Sequence, residues 1–158
     1  MPTDAIDALF DRVEAHERDE SLRQQREEEY HRRLLLTMPE FLKELFKEVQ
    51  DRFDAFNRRA GKRDSFSIST GKGNVLTATK RSCPKATFRI ETIPEIDYLF
   101  IHGNAGREEF DGRYTMKLRG FSIHLEERFS RDHKHVAIEE IEDQVLLPFF
   151  AAIVNGNS

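Results

Sequence analysis

The strongest chemical signal in the sequence is a concentration of positive charge in its middle third. Between Asn57 and Arg89 the chain carries nine lysines and arginines against one acid, Asp64, for a formal charge of +8. The whole chain has a formal net charge of −4, so the remainder sums to −12. The candidate anion-binding residues are Arg58, Arg59, Lys62, Arg63, Lys72, Lys80, Arg81, Lys85 and Arg89. Such a segment can bind phosphates, a nucleic acid or an acidic partner, or it can face the protein's own acidic helices.

Nucleic-acid binding on a sheet also requires a suitable open face. Sheets that bind single strands stack the bases on aromatic side chains. The face that we predict to be open has no Phe or Tyr. It carries hydroxyl and basic side chains: Ser65, Ser67, Ser69, Thr77, Thr79, Thr87, Thr115, Arg89, Arg113, Lys117 and Arg119. Polyanion binding would therefore involve the backbone of the ligand only, and we rank it below protein interaction.

Histidines near the end of the predicted sheet could bind a metal ion. His133 and His135 lie on one face of a short strand, and His124 lies on the neighbouring strand, a pattern from which metal sites can be built. With a turn near residue 130, Glu126 would face His135 and Arg128 would face His133. A cross-strand carboxylate–histidine pair then explains the pattern without a metal.

Three further residues or motifs could carry chemistry but have simpler explanations. His102 follows Tyr98 and Phe100 at a period of two, which predicts a hydrogen-bonded histidine in the core. Cys83 is the single cysteine, cannot form an internal disulfide, and fits a reducing cytoplasm. The glycines near residue 72 lack the spacing of a phosphate-binding loop and predict a hairpin turn. We therefore assign no catalytic, cofactor-binding or metal-ligating residue, and no cofactor.

Two N-terminal helices are predicted ahead of the sheet. Residues 1–36 form a helical arm, in which Ile6, Leu9, Phe10 and Val13 make one apolar stripe before a polar stretch. Residues 37–61 form the core amphipathic helix, which begins near Pro39 because proline is tolerated in a first helical turn. Its apolar positions are Phe41, Leu42, Leu45, Phe46, Val49, Phe53 and Phe56.

An antiparallel meander sheet of about five to six strands is predicted over residues 62–136. Apolar and polar residues alternate in most of its segments, and turn residues separate them. Residues 98–102 are apolar at almost every position, so we expect a central strand that is covered on both faces, with Leu99 and Ile101 needing cover on the second face.

A closing helix over residues 137–154 completes one α+β domain of 158 residues, with this helix packed on one sheet face. We expect a kink at Pro148. No apolar run approaches the ~20 residues of a membrane span, and no secretory signal is apparent, so we predict a cytoplasmic protein without membrane contact.

The sequence favours a role in interaction. The polar arm cannot bury itself on a small sheet, and the central strand needs apolar cover from the arm or from a second copy of the chain. We predict a non-catalytic module that self-associates or binds a protein partner. Polyanion binding through residues 57–89 is the first alternative, and an enzyme of unidentified class is the second.

Overall fold

The computed structural model describes residues 2–61, 65–71, 74–80, 82, 85–93, 97–128, 131–132 and 134–156. The chain divides into two compact units, Met1–Leu36 and Thr37–Ser158. The α+β class, the antiparallel sheet and the C-terminal helix are as predicted.

One N-terminal helix is present where two were predicted. Helix α1 extends over Pro2–Ala60 and continues through Pro39. Proline inside a helix removes the hydrogen bond to the carbonyl four residues earlier, here that of Leu35. Pro39 and Leu35 are both exposed, so water can satisfy this carbonyl. Met38 and Leu42, one helical turn apart, are both 2% exposed and lie on the buried side of this helix.

The sheet has seven strands, where five to six were predicted, in the order β1-β2-β3-β4-β5-β6-β7 with every pair antiparallel. The difference lies in short edge strands, since β7 has only two residues. The strands are β1 (Ser67–Thr70), β2 (Val75–Lys80), β3 (Ala86–Ile93), β4 (Tyr98–Ala105), β5 (Glu108–Arg119), β6 (Ser122–Glu127) and β7 (His135–Val136). Strands β1 and β2 pair antiparallel as the predicted hairpin requires, and the Gly71 N–H donates to the Val75 carbonyl over 3.1 Å; residues 72 and 73 of the predicted turn lie outside the described residues.

The closing helix consists of α2 (Ile138–Ile141), a π-helical segment (Glu142–Leu146) and α3 (Leu147–Gly156). The wider π turn comes directly before Pro148, which has no N–H to donate to the carbonyl of Gln144. A π-helical segment therefore directly precedes the position at which the sequence predicts a kink. The Leu147 N–H donates to the Glu142 carbonyl, five residues back.

The core lies on one face of the sheet, which we call the core face. Phenylalanine rings of α1, β3 and α3 meet there: the ring centroid of Phe53 is 5.4 Å from that of Phe88, and Phe88 is 5.4 Å from Phe149. Asn57 ties the end of α1 to the start of the sheet, because its side chain accepts from the Phe66 N–H at 2.8 Å and donates to the Phe66 carbonyl at 3.0 Å.

Strand β4 is not covered on both faces. Leu99 and Ile101 are 0% and 2% exposed and lie on the core face, whereas Tyr98 and Phe100 are half-buried on the opposite face. We call this opposite side of the sheet the open face. The expectation that Leu99 and Ile101 need cover from a second face was therefore wrong, because they lie on the core face, where α3 packs against β4.

Candidate interaction surfaces

The first part of α1 is exposed along its length. Every described residue from Asp4 to Arg33 is exposed except Glu20 and His31, which are intermediate. Ion pairs within the helix support this polar stretch: Arg18 lies 3.5 Å from Glu14, and Arg23 lies 3.2 Å from Glu20. Such pairs between neighbouring turns stabilise an exposed helix by a few tenths of a kcal/mol each.

One apolar stripe interrupts this polar surface at its N-terminal end. Ile6, Leu9, Phe10 and Val13 lie at i, i+3, i+4 and i+7, and they are 54%, 60%, 61% and 47% exposed. These positions form one continuous side of a helix. We call these four residues the apolar stripe. Five carboxylates and one arginine give residues 4–17 a formal charge of −4 around it.

The same apolar pattern recurs in the second unit, where it is buried. Leu42, Leu45, Phe46 and Val49 have the same spacing and nearly the same residue types as the apolar stripe. Leu42, Leu45 and Val49 are 2%, 0% and 3% exposed. Reading the sequence element by element missed this similarity, although comparing the two helical segments position by position would have found it. The comparison indicates that the pattern of the apolar stripe is one that packs against other surfaces in this protein.

The predicted basic segment does not form one surface among the described residues. Arg58 and Arg59 are exposed in the last turn of α1, and Lys85 is exposed just before β3. Lys80 is 1% exposed on the core face, whereas Arg89 lies on the open face, 3.7 Å from Glu91. The other predicted members, Lys62, Arg63, Lys72 and Arg81, lie outside the described residues. Because successive side chains of a strand point to opposite faces of the sheet, Lys80 in β2 and Arg89 in β3 lie on opposite sides.

The open face carries aromatic side chains, contrary to the sequence-based expectation. Tyr98 and Phe100 lie on it in an edge-to-face arrangement with ring centroids 6.0 Å apart. The Arg128 guanidinium stacks over the Tyr98 ring at 3.2 Å from its centroid. Phe100 is directly opposite Arg113 and Glu91 on the neighbouring strands. The expectation failed because it placed the odd-numbered residues of β4 on this face, whereas the even-numbered ones lie there.

A buried carboxylate organises the open face near β6. Glu126 is 5% exposed, and its side chain lies 3.2 Å from Lys117 and 3.5 Å from Arg119. The predicted pairing of Glu126 with His135 is confirmed as strand register. The side-chain contact differs, since Glu126 binds the two cations and His135 contacts His124.

His124 and His135 form a pair on the open face. The Nδ1 atom of His124 lies 2.7 Å from Nε2 of His135. His133, its predicted companion, lies outside the described residues, as does the predicted pairing of His133 with Arg128. Within the ranges that the structure describes, no group of three or more His, Cys, Asp or Glu side chains is arranged to hold a metal ion.

His102 is not a core histidine. It is exposed on the open face, and its Nδ1 contacts a carboxylate oxygen of Asp111, which is directly opposite in β5. The alternation that puts Tyr98 and Phe100 on the open face puts His102 there as well. Cys83 lies outside the described residues.

A groove runs between the middle of α1 and the β1–β2 hairpin. Its volume is about 460 Å³, and Pro39, Leu42 and Phe46 provide its apolar lining. Lys43 and Lys47 are exposed and provide its basic lining. The remaining lining residues are Gln50, Thr70 and Asn74. The groove therefore combines apolar contact area with positive charge.

Two buried ionisable groups flank the core. Burial, with a smaller contribution from the charge of Glu127, raises the pKa of Tyr114 to about 12. Burial also raises the pKa of Glu142, although its ion pair with Arg52, in which Nε lies 2.8 Å from the carboxylate, acts in the opposite direction. Both groups hold their protons more strongly in the folded chain than in water.

Comparison with protein-family models, curated proteins and solved structures finds no match for this chain. None of the helices, as far as the described residues define them, has a stretch both long and apolar enough to cross a membrane.

Proposed function

We propose that this protein is an interaction module that self-associates through the N-terminal part of α1. The observation that carries the proposal is the exposure of the apolar stripe, Ile6, Leu9, Phe10 and Val13, at 47–61% of each residue. Four apolar side chains on one helix side are the anchors of helix-in-groove recognition. The proposal commits to a second copy of the chain because the stripe lies in acidic surroundings and the chain itself carries basic, partly apolar surface.

The expected affinity follows from the area that association can bury. Fully burying an aliphatic or aromatic side chain yields about 1.5–3 kcal/mol. Since each of the four is about half exposed, their burial yields roughly 3–6 kcal/mol in total, before the entropic cost of association and before contacts from the partner surface. A gain of this size corresponds to dissociation constants between about 40 μM and 6 mM. Self-association should therefore depend on concentration.

Substitution in the apolar stripe tests this function. Size-exclusion chromatography with light scattering should give a mass above 18.5 kDa for the wild type and the monomer mass for Leu9→Ser/Phe10→Ser. Leu22→Ser is the matched control, because Leu22 is 51% exposed on the same helix but lies nine residues from Val13, on the opposite side. Circular dichroism verifies that each variant is helical. Equal masses for the wild type and the double variant would refute the proposal.

A second candidate function, binding of single-stranded nucleic acid, is favoured by one observation. Phe100 is half-buried on the open face beside Arg113, and Tyr98 carries the stacked Arg128. A partly exposed ring beside an arginine is the combination that stacks a base and neutralises its phosphate.

Fluorescence anisotropy with a labelled oligouridylate tests this candidate. Phe100→Ala should weaken binding by about 5- to 150-fold, the range measured for loss of one stacked base. Thr87→Ala changes an exposed residue on the same face and should leave the affinity unchanged. Absence of binding by the wild type at low salt would eliminate the candidate.

A further inference from the structure

We infer that the groove beside Phe46 receives the apolar stripe of a second copy of the chain. The inference rests on the proposed self-association and names the surface that the apolar stripe contacts. The groove has an apolar lining of Pro39, Leu42 and Phe46, which provides contact area for Phe10 and its neighbours.

The charges around the two surfaces are complementary. Asp7 and Asp11 are four residues apart beside the apolar stripe, and Lys43 and Lys47 are four residues apart in the groove. On a helix this spacing corresponds to about 6 Å along the axis, so both carboxylates can approach both ammonium groups at once. Complementary charge at the edge of an interface accelerates association and fixes its register.

The two helical segments are charge-inverted versions of one apolar pattern. Residues 6–13 and 42–49 share their apolar positions, while position 7 is acidic where 43 is basic, and 11 is acidic where 47 is basic. Arg12 likewise corresponds to Glu48. Because Leu42, Leu45 and Val49 are 0–3% exposed, a second copy can contact residues 42–49 only through Phe46 and the charged positions. Opposite charges at matched positions are one way in which paired helices select each other. This correspondence favours a second copy over an unrelated partner as the occupant of the groove.

The proposed contact joins two different surfaces, the apolar stripe of one copy and the groove of another. Mixing two variants that each lack one of these surfaces therefore tests it. Leu9→Ser/Phe10→Ser removes the apolar stripe but keeps the groove. Lys43→Glu/Lys47→Glu reverses the charge of the groove but keeps the stripe. Each variant alone should have a weight-average mass close to the monomer, whereas an equimolar mixture should form heterodimers, because one copy supplies the stripe and the other the groove.

Charge exchange provides a second measurement. Lys43→Glu/Lys47→Glu should weaken self-association at least about tenfold, and adding Asp7→Lys/Asp11→Lys to the same chain should restore it. The matched control, Arg58→Glu/Arg59→Glu, reverses two exposed bases elsewhere on α1 and changes the net charge equally.

The outcomes distinguish two claims, that the chain self-associates and that the groove binds the apolar stripe. Restoration in the exchanged chain, together with heterodimers in the mixture, supports the groove as the receptor. Association of Lys43→Glu/Lys47→Glu at the wild-type level overturns the groove but leaves self-association intact. A monomeric wild type at every concentration overturns both. A mixture that stays monomeric also overturns the groove, since it means that the two surfaces do not contact each other.

Discussion

Replacing Phe53 tests how the second part of α1 is held against the sheet. The Phe53 side chain is 0% exposed, and its ring centroid lies 5.0 Å from Phe66, 5.0 Å from Phe150, 5.4 Å from Phe88 and 6.4 Å from Phe149. Truncating a buried phenylalanine to alanine costs about 3–5 kcal/mol. Each lost ring pair is worth about 0.5–1.5 kcal/mol beyond the buried area, so we expect Phe53→Ala to lie at the upper end of this range.

Urea unfolding followed by circular dichroism measures this loss. Because about 5 kcal/mol can exceed the stability of a small domain, Phe53→Leu is the second variant, with an expected loss of about 1–3 kcal/mol. Phe10→Ala is the matched control: the same residue type on the same helix, 61% exposed, with an expected change within about 0.5 kcal/mol at a protein concentration that keeps the chain monomeric. Equal losses for Phe53→Leu and Phe10→Ala would refute the reasoning.

Three further predictions concern the core. Gly103→Ala should lower the free energy of unfolding by about 1–3 kcal/mol in urea titrations, because the new Cβ would lie 3.0 Å from the Phe149 ring, whereas Gly71→Ala meets no atom within 4 Å and should cost less. Since the pKa of Tyr114 is raised to about 12, stability should be intact below pH 10 and fall by roughly 3 kcal/mol between pH 10 and 12; an equal fall in Tyr114→Phe would contradict this. Since burial raises the pKa of Glu142, its protonated form favours folding, so this contribution should be lost as pH rises above about 4.5, and the pH dependence of the thermal midpoint should flatten in Glu142→Gln.

The alternation of apolar and polar residues predicted most of the sheet. It located the hairpins because each core-face residue, such as Leu76 or Met116, contrasts with polar neighbours on the open face. It failed at β4, where both faces carry large apolar side chains and the pattern does not reveal which set faces the core. Tyr98 can lie on the open face because Arg128 covers its ring, a contact between residues 30 positions apart.

The continuous α1 helix could not be predicted from local signals. Thr37 and Pro39 together resemble a helix start, and the cost of proline inside a helix favours a break there. In the folded chain Pro39 and Leu35 are both exposed, so water can bind the carbonyl that loses its helical hydrogen bond and reduce that cost.

The positions of the basic residues in the fold could also not be predicted from local sequence patterns. The sequence predicts a strongly basic segment, and the fold distributes its described members over the end of α1, the interior and the open face. Lys80 is buried because it continues the core-facing alternation of β2. By contrast, Ile6, Leu9, Phe10 and Val13 were recognisable as one stripe from spacing alone, and the structure adds that their side chains are exposed.

Sedimentation equilibrium of the wild-type chain over a concentration series is the most direct measurement of self-association. The proposal predicts a weight-average mass that rises measurably above 18.5 kDa as the protein concentration increases from about 10 μM to 1 mM. A mass that stays at the monomer value throughout this range would contradict it.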